Sequence, residues 1–389
     1  MATAIPHHRH QSSMERLINF NLRPSLGILE RERAKHRLHS IIKNVETSND
    51  SIIQGYSRPL LVRYTYEYSL SDRSKDTFLR AFFDTMPVTL DSDSDIDFSD
   101  TVLEEQIRTA FTGFADYLFD NFFLPLMASS QKTPQPSPIT HSAVQRALGG
   151  EQEFSGTPDR LSSLRGICLT RDRHRCVISR KFDSREAENR FHLEGDMARD
   201  DDGMFLHTQR LFARLEVAHI LPHSLVHTEK GGQLEHSKQV ALEILNMFDH
   251  DAAYLIEGEE VDRPRNAITL THDLHDWFGR FKIFFEPVPD QPPHTYTVGS
   301  YVRPNMLPDL ALPLTRKLYI TENRTIDPPL PRLLAIHRAI ARILHLSGAG
   351  EYIDQILRDL GEIGVRADGS TELGHFVKLR LDGWITGVA

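Results

Sequence analysis

Two stretches of the chain carry side chains whose types and spacing suit chemistry at a phosphate. The first, RLEVAHILPHSLV (214–226), sets Glu216, His219 and His223 among the apolar Leu215, Val217 and Ile220. The second, NAITLTHDLH (266–275), carries Asn266, His272 and His275. A core strand has no packing use for an acid and two imidazoles, and a surface strand has little use for that much apolar bulk. A histidine on one strand, an asparagine opening the next and a histidine on a following short helix make a compact unit. It can hold one divalent metal ion and one activated water. Phosphodiester hydrolysis needs a base to deprotonate water, and neutral imidazole suits that near pH 7. It also needs a cation to stabilise charge on the phosphate and the leaving oxygen. An amide can fix an imidazole's orientation without changing the net charge.

The elements that must position these groups follow from periodicity. LEVAH reads as a half-buried strand ended by Pro222, RNAITL (265–270) as a second strand and THDLHDWFGRF (271–281) as a short helix. KIFFEPVP (282–289) and TYTVGSYV (295–302) predict a hairpin turning in PDQPPH. Upstream, DRLSSLRGICLTRDRHRCVISRK (159–181) reads as a helical stretch, a turn and then a short RCVIS strand, and EGDMARDDDGM (194–204) as a polar insertion. SKDTFLRAFFDTM (74–86) and TVLEEQIRTAFTGFADYLFDNFF (101–123) are helices. The stripe of the second is Val102, Ile107, Phe111, Phe114, Leu118 and Phe122, with Ser99 or Asp100 as N-cap. PPLPRLLAIHRAIARILHLSGAG (328–350) and EYIDQILRDLGEIG add two more helices. MASSQKTPQPSPITHS (127–142), rich in Pro, Ser and Thr, marks a boundary.

With 389 residues, 40% of them hydrophobic and 25% charged, the chain can build a real core. The lack of a long apolar run predicts no membrane span, and an intracellular protein, nuclear or cytoplasmic, is the expectation. Two cysteines are too few for a disulfide framework and lack the spacing of a zinc ribbon. The net charge of −9 argues against a uniformly basic nucleic-acid-coating protein. Yet Arg160 to Arg190 holds nine Lys/Arg against four acids, a balance compatible with local contact to a phosphate backbone or with a solvated charged surface.

RDRHRCVISRKFD (171–183), LEVAHILPHSL (215–225), RPRNAITLTHDLHDWFGRFKIFFEP (263–287) and HLSGAGEYID (345–354), in this order, resemble an HNH endonuclease domain. The resemblance is to the type without a zinc ribbon found in fungal proteins, and it covers roughly 160–355. It implies an α+β protein: a ββα-metal core with flanking helices, preceded by a mainly helical region. In that frame His219 is the general base, Asn266 orients or supports it, and His275 is a metal ligand. Many HNH enzymes carry an acid or histidine immediately before the base, where this chain has Ala218. Glu216, two positions earlier on the same strand face, is the candidate substitute. His272 is a candidate ligand, phosphate contact or capping neighbour, and His223, Arg173 and Arg175 are candidate substrate contacts. The cofactor is expected to be one divalent ion (Mg²⁺, Mn²⁺, Zn²⁺ or Ni²⁺) and the partner nucleic acid, DNA before RNA. The expected layout is a flexible tail (1–23), a helical region (24–127), a linker (128–158), the nuclease-like domain (159–355) and a C-terminal extension packed on it (356–389). Two functions are carried forward: a metal-dependent endonuclease, and a degenerate module of the same fold that binds nucleic acid or protein without cutting.

Overall fold

Burial of apolar stripes organises the described residues into helices and three small sheets. The computed structural model describes residues 24–47, 55–130, 157–226, 236–322 and 325–361, together with Leu379 and Trp384. The expected tail, most of the linker and most of the C-terminal extension lie outside these residues. In chain order the helices are α1 (Ile28–Glu46), α2 (Arg58–Glu67), α3 (Asp72–Thr85), α4 (Thr101–Leu118), α5 (Leu124–Ser130), α6 (Thr157–Arg171), α7 (Ser184–Glu194), α8 (His236–Leu245), α9 (His272–Gly279), α10 (Pro331–Ser347) and α11 (Ala349–Gly361). The strands are β1 (Phe182–Asp183), β2 (Phe212–Ala213), β3 (Leu215–His219), β4 (Ala267–Thr271), β5 (Ile283–Pro287), β6 (Thr295–Ser300) and β7 (Leu314–Lys317). The described chain is α+β.

Two compact units emerge. One is Met1–Ala128, Thr228–Tyr254 and Arg342–Ala389; the other is Ser129–His227 and Leu255–Ala341. The first is helical and aromatic. Ser71 and Asp100 cap α3 and α4 through their side chains. Phe82 meets Phe111 and Phe114 edge to face, at centroid distances of 6.0 and 5.3 Å. The α4 stripe is buried at Ile107, Phe111, Phe114 and Leu118, but Val102 is exposed because it lies in the first turn, beyond the core. A single π turn, Phe119–Phe123, then carries Phe122 onto Phe248, ring to ring at 5.1 Å.

The second unit holds the candidate chemistry. β3 and β4 pair antiparallel, with Glu216 opposite Leu270 and His219 opposite Ala267, and α9 follows β4 without a loop. Val217 and Ala267 pack against Leu164 and Cys168 of α6. The expected hairpin forms as β5–β6 and gains a third strand, β7. RCVIS is a turn instead of a strand: Cys176 N donates to Lys181 O, Ser179 N to Cys176 Sγ, and Arg180 takes a left-handed φ of 64°. Only Phe182–Asp183 remain extended, paired with Phe212–Ala213. The polar insertion is also ordered, because Ala198 and Leu206 bury against Phe182 and Ala187.

One buried ion pair ties these pieces together. Arg171, at the end of α6, holds Asp172 through two bonds of 2.9 and 2.8 Å. Its remaining N–H groups reach Pro264 O, Ala267 O and Asp327 O. Asp172 in turn accepts Thr269 N of β4 at 3.2 Å. The side chains are 0% and 1% exposed, so removing one partner strands a buried charge. We expect Arg171→Ala to lose about 3–5 kcal/mol of stability, read as a lowered urea midpoint; an unchanged midpoint would show that the pair does not hold this unit.

Candidate active site

The strand β3 and the segments that face it build two neighbouring carboxylate–histidine groups. In the first, Glu216 projects from β3 toward α9. His272 Nδ1 lies 2.9 Å from Glu216 Oε1, and His275 Nδ1 lies 2.6 Å from Oε2. The two histidines are one helical turn apart, which puts both on the face above the strand. His275 is buried while the His272 side chain is 77% exposed. The bond from His275, with that from His272, holds the Glu216 carboxyl down from 4.5 to about 2 against the effect of burial. The Glu216 bond raises His272 above its usual 6.5.

The second group centres on Asp262, which ends the 3₁₀ turn Gly258–Asp262. His219 Nε2 lies 3.1 Å from Asp262 Oδ1, and His223 Nε2 lies 3.4 Å from Oδ2. Asp262 and His219 side chains are 3% and 2% exposed. Burial pushes the Asp262 carboxyl up, but the bonds from His219 and His223 outweigh it and hold it well below the usual carboxylate range. His219 behaves in the opposite way: burial lowers it below 6.5, and Asp262 only partly opposes the shift. A neutral His219 facing a carboxylate at Nε2 carries its proton there, so Nδ1 bears the lone pair. That Nδ1 is buried and has no hydrogen-bond partner among the described residues.

Asn266 does not touch either imidazole through a described bond. Its Oδ1 accepts Leu221 N at 3.0 Å, and its Nδ2 donates to Leu221 O and Val261 O at 3.0 and 2.9 Å. Fully buried, it clamps the backbone just after His219 to the backbone just before Asp262. It thereby fixes the two chain segments that bring His219 and Asp262 together. Arg173 and Arg175 lie elsewhere, on the turn after α6: Arg173 pairs with Asp202, and Arg175 bonds Asp200 at 2.5 Å and Gln209 at 2.9 Å.

Sequence reasoning missed Asp262. Its signal was present in VDRPRN: an acid four residues before Asn266, with Pro264 fixing the turn between them.

Glu216, His275 and His272 offer one oxygen and two imidazole nitrogens, a donor set whose chemistry suits several divalent ions. As placed, these donors bond one another, and no group of three or more His, Cys, Asp or Glu is arranged as a metal site among the described residues. Residues 176–286 match a family model described as HNH endonuclease. That stretch runs from the Cys176 turn through β3, β4 and α9 into the hairpin, so this part of the chain is an HNH endonuclease domain. No curated protein and no solved structure matches the chain. Domains of this class cut nucleic acid and generally use a divalent metal ion. No described helix is long and apolar enough to cross a membrane.

The Glu216 pairing carries a pH signature. The unfolded carboxyl, at 4.5, takes up its proton before the folded one at about 2, so the stabilisation is complete above pH 4.5 and lost as the pH falls toward 2. The difference in melting temperature between the protein and Glu216→Gln is expected to shrink across that window. A difference flat from pH 5 to pH 2.5 would mean that the carboxylate gains nothing from the two histidines.

Proposed function

We propose that this protein is a metal-dependent endonuclease that hydrolyses phosphodiester bonds, in DNA before RNA, with His219 as general base. The observation that carries the reading is the His219–Asp262 pair: Nε2 engaged by a buried carboxylate, and an Nδ1 lone pair without a partner among the described residues. His219 Nδ1 accepts a proton from water as the water oxygen bonds to phosphorus. The ester oxygen leaves as that bond breaks and takes a proton from solvent water, while the imidazolium returns its own proton to solvent. Asp262 stays ionised, holds the ring's orientation and stabilises the transient imidazolium, while Asn266 keeps the two segments in register. A divalent ion held by Glu216, His275 and His272 would supply stabilisation of charge on the phosphate.

One specific observation favours the rival reading, a non-cutting module of the same fold. Ala218 occupies the position before the base, and Glu216 is committed to two histidines. Plasmid nicking with Mg²⁺, Mn²⁺, Zn²⁺ or Ni²⁺ separates the two. The nuclease is expected to nick with at least one ion, and His219→Ala to lose about 10²–10⁴-fold in rate. Asp262→Asn presents an amide that can donate to Nε2 and thereby moves the ring proton to Nδ1. A loss of about 10–100-fold is expected, with the acid limb of the pH–rate profile displaced downward because the charge that raised His219 is gone. Nicking that is equal in all three proteins would remove His219 from the chemistry. No nicking of plasmid or RNA with any ion, together with a blank metal titration, would leave the binding module.

A further inference from the structure

The turn after α6 and the insertion border an open cleft of about 610 Å³ that the hydrolytic groups do not use. Its lining includes Arg175, Arg180, Arg210, Met204, Leu211 and Tyr319. The volume is in the range of small-ligand sites.

The charges in this cleft do not cancel. Its acids, Asp200 and Asp202, are already spent. Asp200 accepts Met204 N, Asp202 N, Arg175 and Gln209, and Asp202 pairs with Arg173. Arg180 has no carboxylate partner among the described residues: Nη2 donates to Lys317 O, and Nη1 is enclosed without a hydrogen-bond partner. Its guanidinium sits 4.4 Å from the centroid of Tyr319, which fixes its plane. Arg210 is exposed and has no ion pair among the described residues. Arg316, which bonds Ile178 O, is lowered by burial and by the proximity of Arg180, so the cationic character extends behind the cleft.

The same cleft is apolar on another side. Met204 and Leu211 are 61% and 58% exposed, large side chains left in solvent beside two unneutralised guanidiniums. Three non-glycine residues of the turn, Arg173, His174 and Arg180, take positive φ values of 54°, 50° and 64°. Such conformations persist where the surroundings impose them, and they cluster at ligand sites.

We propose that this cleft binds one nucleotide unit of a nucleic-acid strand, with the base against Met204 and Leu211 and the phosphate between Arg180 and Arg210. Two cations and an apolar wall in one nucleotide-sized space match a planar, weakly polar base joined to an anion. The inference rests on the nuclease reading only for the choice of a strand over a free nucleotide.

The test uses the full chain in EDTA, so that no cleavage intervenes, with a fluorescein-labelled 12-nucleotide single strand followed by anisotropy. Arg210→Ala is expected to weaken binding about 5–20-fold and to lower the slope of log K against log salt by about 0.7. Leu211→Ser is expected to weaken binding several-fold with the slope unchanged, since it removes contact with a base and no charge. Both residues are exposed, so unchanged melting curves confirm that the fold is intact. Wild-type affinity and slope in both variants would overturn the site. Displacement of the strand by an equal nucleotide concentration of a deoxynucleoside monophosphate would overturn the strand as its occupant. Normal nicking beside unaltered binding in the variants would sink the cleft alone. Weakened binding in Arg210→Ala beside a wild-type protein that cuts nothing would sink the nuclease reading alone.

Discussion

The bidentate grip of Arg171 on Asp172 is the constraint from which the candidate site follows. Two charges at 0% and 1% exposure are costly to desolvate, and such a pair is tolerable only when its geometry is good and its other hydrogen-bonding groups are met. Here the guanidinium donates to Pro264 O, Asp327 O and Ala267 O, while Asp172 accepts Thr269 N. Those contacts fix the start of β4 and the turn that precedes it. Asn266 sits between Pro264 and Ala267, so its amide meets Leu221 and Val261 from a held position. His219 lies opposite Ala267 and Asp262 directly follows Val261. A planar fork with several fixed donors does this; a lysine at 171 would offer a point charge and could not meet two carboxylate oxygens and three carbonyls together.

The two carboxylate–histidine groups then separate by environment. Glu216 and His272 face water, and their attraction favours both charged forms: the acid is held down and the imidazole is pushed up. Asp262 and His219 are enclosed, and there desolvation of the imidazole wins, so a strongly ionised acid sits against a neutral histidine. Similar residue types thus give an ion-paired arm on one side and an acid-oriented neutral histidine on the other. They are about 10 Å apart along the strand, since three residues separate 216 from 219.

What could be read in the sequence was what periodicity and spacing control. Alternation in LEVAH, the run into THDLHDWF and the β5–β6 hairpin are local patterns, and each formed as an element. What escaped depends on long-range pairing. Arg171, Arg173 and Arg175 look alike in a charge count, yet one is a buried clamp and two are neutralised by the insertion. Asp262 looks like a turn acid until the chain brings His219 to it across 43 positions. The Cys176–Arg180 stretch has the β-branched composition of a strand, but a left-handed residue and an N–H···S bond close it into a turn.

The insertion also explains how an acidic chain can present a cationic surface. Asp200, Asp201 and Asp202 meet Arg175, His174 and Arg173 in reversed order, and Arg190 adds a second bond to Asp201. Each arginine pair removes a positive charge from the turn, so the local excess of basic residues overstates the field there. What survives is selective: Arg180 and Arg210 keep their charge at one cleft instead of spreading it over the face. With a net charge of −9 on the whole chain and screening within about 8–10 Å at physiological salt, attraction of a polyanion must come from such short-range, placed cations. The acids of the insertion neutralise Arg173 and Arg175 and make no described bond to Arg180 or Arg210, so the charge of those two arginines is left in place.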